Sequence, residues 1–243
     1  MSLYPVVILA GGLATRLRPI TENIPKALVE VGGKPFIYHQ LCLLYSHGIR
    51  RVILSAGYRA DMLRDYVGNG HRFNMDVDYV FDGETPLGTG GAVRKALPLL
   101  NSPFFVLYGD SYLPCDYSDI QAHFDARDQP ALMTVFRNRG KWDSSNVEMA
   151  SGRIIQYDKK RRSPHMEHID YGLGLFARTV FDRLQEGQPA DLAEVYQHLV
   201  AEKKLLAYDV PDRFYEVGSF EGLRELDDLL VTDPDQFLKR SKI

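Results

Sequence analysis

Residues 6–26 have the sequence VVILAGGLATRLRPITENIPK. The continuous apolar run at the start predicts a strand covered on both faces, as in a parallel sheet. The adjacent glycines that follow let backbone N–H groups approach an anion closely, and Arg16 and Lys26 add positive charge. Pro19 and Pro25 stiffen the connection between these two cations because the ring of proline fixes φ. The stretch therefore predicts a phosphate site, whereas a bare Gly-Gly pair would indicate an ordinary turn.

The composition excludes several classes of protein. A chain of 243 residues is long enough for one α/β catalytic domain with a sizeable core. The net charge of −3 argues against nucleic acid as the main partner. The two cysteines, Cys42 and Cys115, are too few for a disulfide framework and fit a reducing compartment. Because neither a membrane span nor a signal-peptide pattern is present, we expect a cytoplasmic protein with no membrane partner.

Strand and helix patterns alternate over the first part of the chain. Further strands are predicted at four apolar runs, residues 51–56, 77–81, 104–108 and 131–136. Helical patterns lie between them, and the loops at Gly11, Gly88 and Asp110 are predicted to leave from strand ends. Ligands of open α/β sheets bind beyond the carboxyl ends of the strands. We therefore expect an α/β fold with a Rossmann-like, doubly wound, mixed and mainly parallel sheet.

From about residue 137 the pattern changes to shorter segments. Alternating patterns predict strands at residues 146–149, 153–157 and 169–176, which we expect to form a small antiparallel lid. Helices are predicted at residues 180–184, 192–203 and 220–230, with a strand at 205–210. No linker or repeat interrupts the chain. We interpret residues 1–243 as one domain, with a core at 1–136 and a second part at 137–243.

Several motifs occur in a fixed order along the chain. The first, LAGGLATRLRP, is followed by Pro-Lys and Lys-Pro up to Pro35, and Ala14 stands within it. The others are PLGTGGA at residues 86–92, Gly-Asp at 109–110, IDYG at 169–172 and EVGS at 216–219. Together they resemble the sugar-1-phosphate nucleotidyltransferases, also called nucleotide-sugar pyrophosphorylases. The chain looks most like the branch of heptose-1-phosphate guanylyltransferases, with muramic-acid-1-phosphate uridylyltransferases close by.

The resemblance implies a reaction in which an NTP and a sugar 1-phosphate give an NDP-sugar and pyrophosphate. The branch implies GTP and D-glycero-D-manno-heptose 1-phosphate as the substrates. The alternatives are a uridylyl- or thymidylyltransferase acting on a hexose or muramic acid 1-phosphate, and a non-catalytic homologue that binds nucleotide sugars. The predicted lid would bind the sugar, and a homo-oligomer is left open.

The resemblance also implies roles for individual residues. Arg16, Lys26 and Asp110 are expected to be catalytic, with Arg16 on the β- and γ-phosphates and Lys26 on the α-phosphate and the incoming phosphate. Mg²⁺ is the expected cofactor, with Asp110 and Glu216 as its ligands, although the family has Asp at the latter position. The nucleotide is expected to contact Leu9, Ala10, Gly11, Gly12, Ala14, Thr15, Arg16, Lys26, Pro86, Gly88, Thr89 and Gly109. The sugar phosphate is expected to contact Asn146, Lys159, Asp170, Tyr171 and Gly172, with Lys160 as the alternative to Lys159.

The residue Ala14 departs from the family signature, which has glycine there. Glycine adopts positive φ freely, whereas alanine is strained in that region. We therefore expect either a negative φ at Ala14 or a loop that is rearranged when empty.

A dinucleotide-dependent oxidoreductase is a rival interpretation of a strand followed by glycines. Its G-x-G-x-x-G fingerprint is missing from the sequence. The second predicted strand also ends in Leu54-Ser55-Ala56, without a carboxylate to bind a ribose. The sequence therefore favours the nucleotidyltransferase.

Overall fold

The computed structural model describes residues 2–83, 85–101 and 103–238. The helices are α1 Phe36–Ser46, α2 Ala60–Val67, α3 Gly88–Ala96, α4 Tyr117–Asp125, α5 Leu192–Ala201 and α6 Phe220–Thr232. The strands are β1 Val6–Ala10, β2 Glu30–Val31, β3 Lys34–Pro35, β4 Arg51–Ala56, β5 Asp76–Phe81, β6 Phe104–Tyr108, β7 Ser111–Tyr112, β8 Ala131–Phe136, β9 Val147–Ala150, β10 Arg153–Tyr157, β11 Ile169–Phe176, β12 Leu205–Asp209 and β13 Tyr215–Glu216.

Seven of these strands form the central sheet, in the order β12-β8-β11-β6-β1-β4-β5. Strand β1 pairs in parallel with β4 and β6, β4 pairs in parallel with β5, and β12 pairs in parallel with β8. Strand β11 is antiparallel to both β6 and β8, so it alone runs against the other strands of this sheet. The predicted α/β fold with a mixed, mainly parallel sheet is confirmed.

Helices cover both faces of the sheet. Successive side chains of a strand point to opposite faces, and β1 shows the consequence. Val6 and Ile8 pack in one buried cluster with Ile37 of α1, whereas Val7 packs in a second cluster with Val93 of α3. Each fully buried aliphatic side chain of this kind contributes about 1.5–3 kcal/mol. The continuous apolar run of β1 is therefore explained by burial on both sides.

The strand at Ile169–Phe176 exists, but its predicted place in the lid is wrong. It lies inside the central sheet, and β9 and β10 alone form a separate two-stranded antiparallel sheet. Leu173 and Phe176 pair with Leu107 and Phe104 of β6, which are distant in the sequence. Because β11 runs against β6, its first residues lie just beyond the carboxyl end of β6. This position brings the IDYG motif to the edge of the sheet where ligands bind.

The last part of the chain differs from its prediction in one further respect. The helix predicted at residues 180–184 is wrong, since a short 3-10 turn at Arg178–Phe181 takes its place. Helices α5 and α6 are confirmed within two residues at each end. No helix in the described part of the chain combines the length and the apolar character needed to cross a membrane.

Candidate active site

A cavity of about 520 Å³ lies beyond the carboxyl ends of β1, β4, β5 and β6. We call it the nucleotide-side cavity. Of the residues predicted to contact a nucleotide, nine line it: Leu9, Ala10, Gly11, Gly12, Lys26, Pro86, Gly88, Thr89 and Gly109. Ala14, Thr15 and Arg16 do not line it but follow in the same loop.

The loop after β6 approaches β1 at a distance that only glycine permits. A Cβ atom on Gly109 would lie 2.4 Å from the carbonyl oxygen of Leu9 and 2.8 Å from Cα of Ala10. Any side chain at this position would therefore push the two strand ends apart. The glycine places Asp110, the next residue, directly beside the glycine-rich loop.

The residue Ala14 has φ 48° and ψ 44°, so it adopts the left-handed conformation. The expectation of a negative φ is therefore wrong. The carbonyl oxygen of Ala14 accepts hydrogen bonds from Oγ1 of Thr21 at 2.8 Å and from N of Leu17 at 3.0 Å. These bonds hold a conformation that costs an alanine about 1–2 kcal/mol. The loop therefore keeps the turn that glycine would make, at the expense of local strain.

The ammonium group of Lys26 forms an ion pair with Asp110, with 2.8 Å between Nζ and Oδ2. The side chains are 18% and 27% exposed, so both are only partly shielded from water. Lys26 begins a 3-10 turn directly after Pro25, which fixes the direction of the chain there. The pair places one cation and one anion at the end of the nucleotide-side cavity.

Arg16 and Glu216 lie around Gly218, next to this ion pair. A Cβ atom on Gly218 would lie 3.0 Å from Nη2 of Arg16 and 3.5 Å from both Oδ2 of Asp110 and Oε1 of Glu216. Backbone contacts fix this neighbourhood, because Glu216 pairs with Ser111 across β13 and β7 and N of Val217 donates to O of Asp110 at 2.9 Å. The structure thus brings the four predicted catalytic and metal-binding residues together.

The carboxyl group of Glu216 is half-buried beside another carboxylate. Burial raises its pKa above the ordinary value, and the charges of Asp110 and Asp143 raise it further. Arg16 and Lys26 oppose this shift. The site therefore holds two carboxylates that repel each other, and Arg16 and Lys26 offset part of this repulsion.

A second cavity of about 300 Å³ meets the first at Tyr108 and Asp110, which line both. We call it the sugar-side cavity. All five residues predicted to contact a sugar phosphate line it: Asn146, Lys159, Asp170, Tyr171 and Gly172. Glu216 also lines this cavity.

The carboxylate of Asp170 organises the sugar-side cavity. It accepts hydrogen bonds from Oη of Tyr157 at 3.0 Å, from Oη of Tyr108 at 3.4 Å and from N of Gly172 at 3.1 Å. Its side chain is 3% exposed, and Nζ of Lys159 lies 3.8 Å from Oδ2. Lys159 also donates to Oη of Tyr108 at 3.2 Å. Asp170 therefore positions Lys159 and the tyrosines around the cavity.

Lys159 and Lys160, the two alternatives for the sugar phosphate, have different surroundings. Lys159 lines the sugar-side cavity, whereas Lys160 lines neither cavity. The backbone N of Lys160 donates to the side chain of Asp158 at 2.7 Å, which turns the chain away at this point. The structure places Lys159 at the cavity.

Two residues of this region, Tyr108 and Asp82, are not among the predicted site residues. The apolar run predicts Tyr108 only as part of a buried strand, but this residue lines both cavities. Asp82 lines the nucleotide-side cavity, and its Oδ1 is buried without a hydrogen-bond partner in the described part of the chain. Burial raises the pKa of Asp82, and the N–H of Leu87 and the charge of Lys95 oppose that shift. It directly follows β5, and a carboxylate at the end of a parallel strand is the signal that identifies it.

The fold and the joined cavities define an α/β protein that binds ligands at the carboxyl ends of parallel strands. The family model described as nucleotidyl transferase matches residues 5–232. The chain therefore belongs to the nucleotidyl transferase family, and the resemblance read from its motifs is confirmed at that level.

Among the relatives, mannose-1-phosphate guanyltransferase beta-B of Xenopus laevis is 30% identical over 218 residues. The mannose-1-phosphate guanylyltransferase of Mycobacterium tuberculosis is 30% identical over 212 residues. The alignments cover 87% and 86% of this chain, but the chain spans only 60% and 59% of the length of those relatives.

Solved structures share the fold. HddC from Yersinia pseudotuberculosis, in complex with GMP-PN, is 26% identical with a TM-score of 0.76, and the match covers 94% of this chain and 100% of that chain. The inositol-1-phosphate CTP transferase from T. maritima is 18% identical with a TM-score of 0.79, and the match covers 97% of this chain and 98% of that chain. At that identity the second likeness concerns the fold alone.

Proposed function

We propose that the protein is a sugar-1-phosphate guanylyltransferase, which converts GTP and a sugar 1-phosphate into a GDP-sugar and pyrophosphate. One observation carries the proposal: the two cavities meet at Asp110, and Lys26 lies 2.8 Å from that carboxylate at the junction. A nucleotide in one cavity and a sugar phosphate in the other would place the reacting groups side by side.

The chemistry needs positioning and positive charge. An oxygen of the sugar phosphate attacks the α-phosphorus, the bond from that phosphorus to the oxygen of the β-phosphate breaks, and pyrophosphate leaves with the electron pair. A phosphate dianion is already a competent nucleophile, so no general base is required. The obstacle is repulsion between anions. In this proposal Lys26 binds the α-phosphate and the incoming phosphate, Arg16 binds the β- and γ-phosphates, and Lys159 binds the acceptor.

The carboxylates of Asp110 and Glu216 fit a magnesium ion. Mg²⁺ is commonly held by one or two carboxylates, with water and substrate phosphates as the other ligands. In the described residues no group of three or more His, Cys, Asp or Glu side chains could hold a metal, which agrees with a site completed by phosphates. When bound there, the ion would neutralise charge on the phosphates.

The base selectivity that we propose rests on Asp82. A carboxylate only accepts hydrogen bonds, and guanine offers two adjacent donors, N1–H and the N2 amino group, to such a group. Uracil and thymine offer one N–H between two carbonyl oxygens, which a carboxylate repels. The names of the relatives and the GMP-PN complex of HddC support the same choice.

The sugar that we propose has the D-manno configuration. The relatives are named for mannose 1-phosphate, and D-glycero-D-manno-heptose 1-phosphate, the acceptor that the motifs suggest, shares the configuration of that ring. Both compounds therefore carry the ring configuration that we propose for the acceptor.

A screen of pyrophosphate release tests this proposal. The purified protein is incubated with Mg²⁺, each of GTP, UTP, dTTP and CTP, and the 1-phosphates of mannose, the D-manno heptose, glucose and N-acetylglucosamine. We expect release with GTP and a D-manno acceptor, and none when the acceptor is omitted. Release with no combination would contradict the enzyme proposal, and a preference for UTP or dTTP would contradict the role of Asp82.

A further inference from the structure

A third cavity, of about 540 Å³, adjoins the sugar-side cavity. Ser144 and Arg162 line both, so the two spaces are adjacent. We call it the cationic cavity, because its walls carry the guanidinium groups of Arg137, Arg139 and Arg162 against the single carboxylate of Glu167. It is larger than the sugar-side cavity, and neither the motifs nor the family assignment accounts for it.

The charges of the cationic cavity are not balanced within the protein. Arg137 is paired with Glu167, with 2.5 Å between Nη2 and Oε2. That ion pair uses the carboxylate of this cavity. No carboxylate of the described residues lies within ion-pair distance of Arg139 or Arg162. Arg139 is still close enough to Glu167 to help lower the pKa of that carboxyl group, so one carboxylate faces two arginines, and Arg162 has no ion pair within the described part of the chain.

The walls of this cavity are held by buried contacts. The side chain of Asn138 is 1% exposed, donates to O of Asp143 at 2.6 Å and accepts from Oγ of Ser145 at 2.6 Å. On the opposite wall Met166 is 6% exposed, and its Sδ accepts a hydrogen bond from N of Ser163 at 3.4 Å. The side chains of Arg137, Arg139, Arg162 and Glu167 are themselves exposed, so the cavity is open to solvent and its charged groups are accessible to a ligand.

The cationic cavity lies on the far side of the sugar-side cavity from the reacting groups. It shares two wall residues with the sugar-side cavity and none with the nucleotide-side cavity. In the proposed reaction the 1-phosphate of the acceptor must lie near Lys26 and Asp110. An anion bound by Arg139 would therefore be a different group, at another position of the acceptor.

We propose that the acceptor is a sugar 1-phosphate with a second anionic substituent, and that Arg139 and Arg162 bind this substituent. The inference rests on the proposed function and adds the class of acceptor. Phosphate and carboxylate are the groups that guanidinium binds through paired hydrogen bonds. Arg162, which lines both cavities, would contact the sugar and its substituent.

Matched acceptors test the inference in the full-length protein with GTP and Mg²⁺. One pair is mannose 1-phosphate and mannose 1,6-bisphosphate, and the other is N-acetylglucosamine 1-phosphate and N-acetylmuramic acid 1-phosphate. Within each pair the two compounds differ by one anionic substituent, at C6 or at C3. We expect kcat/KM to be about tenfold or more higher for the anionic member of at least one pair.

Two variants assign the effect to the cavity. Arg139→Ala and Arg162→Ala should each lower the ratio of the two kcat/KM values about tenfold, toward one. The control is Arg153→Ala, since Arg153 is an exposed arginine of β10 that lines none of the three cavities. It should leave the ratio unchanged. Circular dichroism and the unfolding midpoint of each variant show whether the fold is retained.

The outcomes separate this inference from the proposed function. Transfer to the neutral members with no preference in either pair would overturn the inference and leave the proposed function standing, whereas transfer to no acceptor would overturn the proposed function. Mannose 6-phosphate, which lacks the 1-phosphate, should inhibit competitively against the acceptor. Inhibition that is not competitive would indicate a separate anion site and would also overturn the inference.

Discussion

The molecule contains two lysine–aspartate pairs that lie on either side of Tyr108. Lys26 and Asp110 are 2.8 Å apart, and their side chains are 18% and 27% exposed. Lys159 and Asp170 are 3.8 Å apart, and their side chains are 42% and 3% exposed. In the first pair both partners are partly accessible. In the second pair an exposed cation faces a carboxylate that is almost completely buried.

The difference shows that a lysine–aspartate pair can either be available to bind substrate or be part of the packed structure. Asp170 accepts from two tyrosine hydroxyls and a backbone N–H, so its position is fixed by the fold. Within the described residues Asp110 accepts two hydrogen bonds, one at its side chain from Nζ of Lys26 and one at its backbone oxygen from N of Val217. Lys26 can therefore exchange Asp110 for a phosphate, and Asp110 can exchange Lys26 for a cation. Asp170, in contrast, is a structural residue that holds its neighbours in place.

Removing the cation of the first pair should have the largest effect on activity. Lys26→Ala deletes the charge at the junction of the cavities, and we expect kcat/KM to fall about 10³-fold. The matched control is Lys160→Ala, which removes an exposed lysine outside both cavities and should change kcat/KM less than twofold. Steady-state pyrophosphate release measures both. Equal losses would contradict the distinction between the two lysines.

Exchanging each carboxylate for an amide compares the two pairs directly. Asp170→Asn places an NH₂ group among hydrogen-bond donors, so the free energy of unfolding should fall by about 2 kcal/mol. The contact with Lys159 adds little to this figure, since the ammonium group is exposed. Asp110→Asn should change the free energy of unfolding by less than about 1 kcal/mol. Urea denaturation measures both variants, and a larger loss for Asp110→Asn would contradict the structural role of Asp170.

A pH-dependent effect is expected at Glu216, next to the first pair. Burial and the charge of Asp110 raise its pKa in the folded state. A carboxyl group whose pKa is higher in the folded state than in the unfolded state lowers the free energy of unfolding when it ionises. This loss begins near the unfolded pKa as the pH rises and is complete above the folded pKa. Glu216→Gln should therefore raise the free energy of unfolding more at pH 8 than at pH 4, without Mg²⁺. An effect that is larger at pH 4 would have the wrong sign.

The smallest effect is expected at Ala14, in the loop that leads to Lys26. Ala14→Gly removes the strain of the left-handed conformation but makes the unfolded chain more flexible. The two terms leave a gain of about 0.5–1 kcal/mol in the free energy of unfolding. Urea denaturation would measure this gain. A loss of stability would mean that the methyl group makes contacts that outweigh the strain.

Much of the first half of the molecule is predictable from sequence because its signals are local. The apolar run of β1 predicts a buried strand, which is found at Val6–Ala10, and the two glycines predicted to bind an anion line the nucleotide-side cavity. Asp110 is identified by the Gly-Asp step after β6. Asp82 also lies at the end of a strand, but it has no preceding glycine and belongs to none of the motifs.

The second half is less predictable because its contacts join distant segments. Strand β11 enters the central sheet through pairs such as Leu173 with Leu107, which no local pattern reveals. The cationic cavity draws Arg139 and Arg162 from two different loops. The basic run at residues 159–162 suggests a solvated loop, and only the fold separates Lys159 and Arg162 from their neighbours.

The central claim is that the sugar phosphate attacks the α-phosphorus of GTP directly, without a covalent enzyme intermediate. Exchange of labelled pyrophosphate into GTP tests this claim most directly. We predict exchange in the presence of Mg²⁺ and an accepted sugar 1-phosphate, and none in its absence, because only the acceptor can form the product from which GTP is regenerated. Exchange at a comparable rate without the acceptor would demonstrate a nucleotidylated enzyme and would contradict the account.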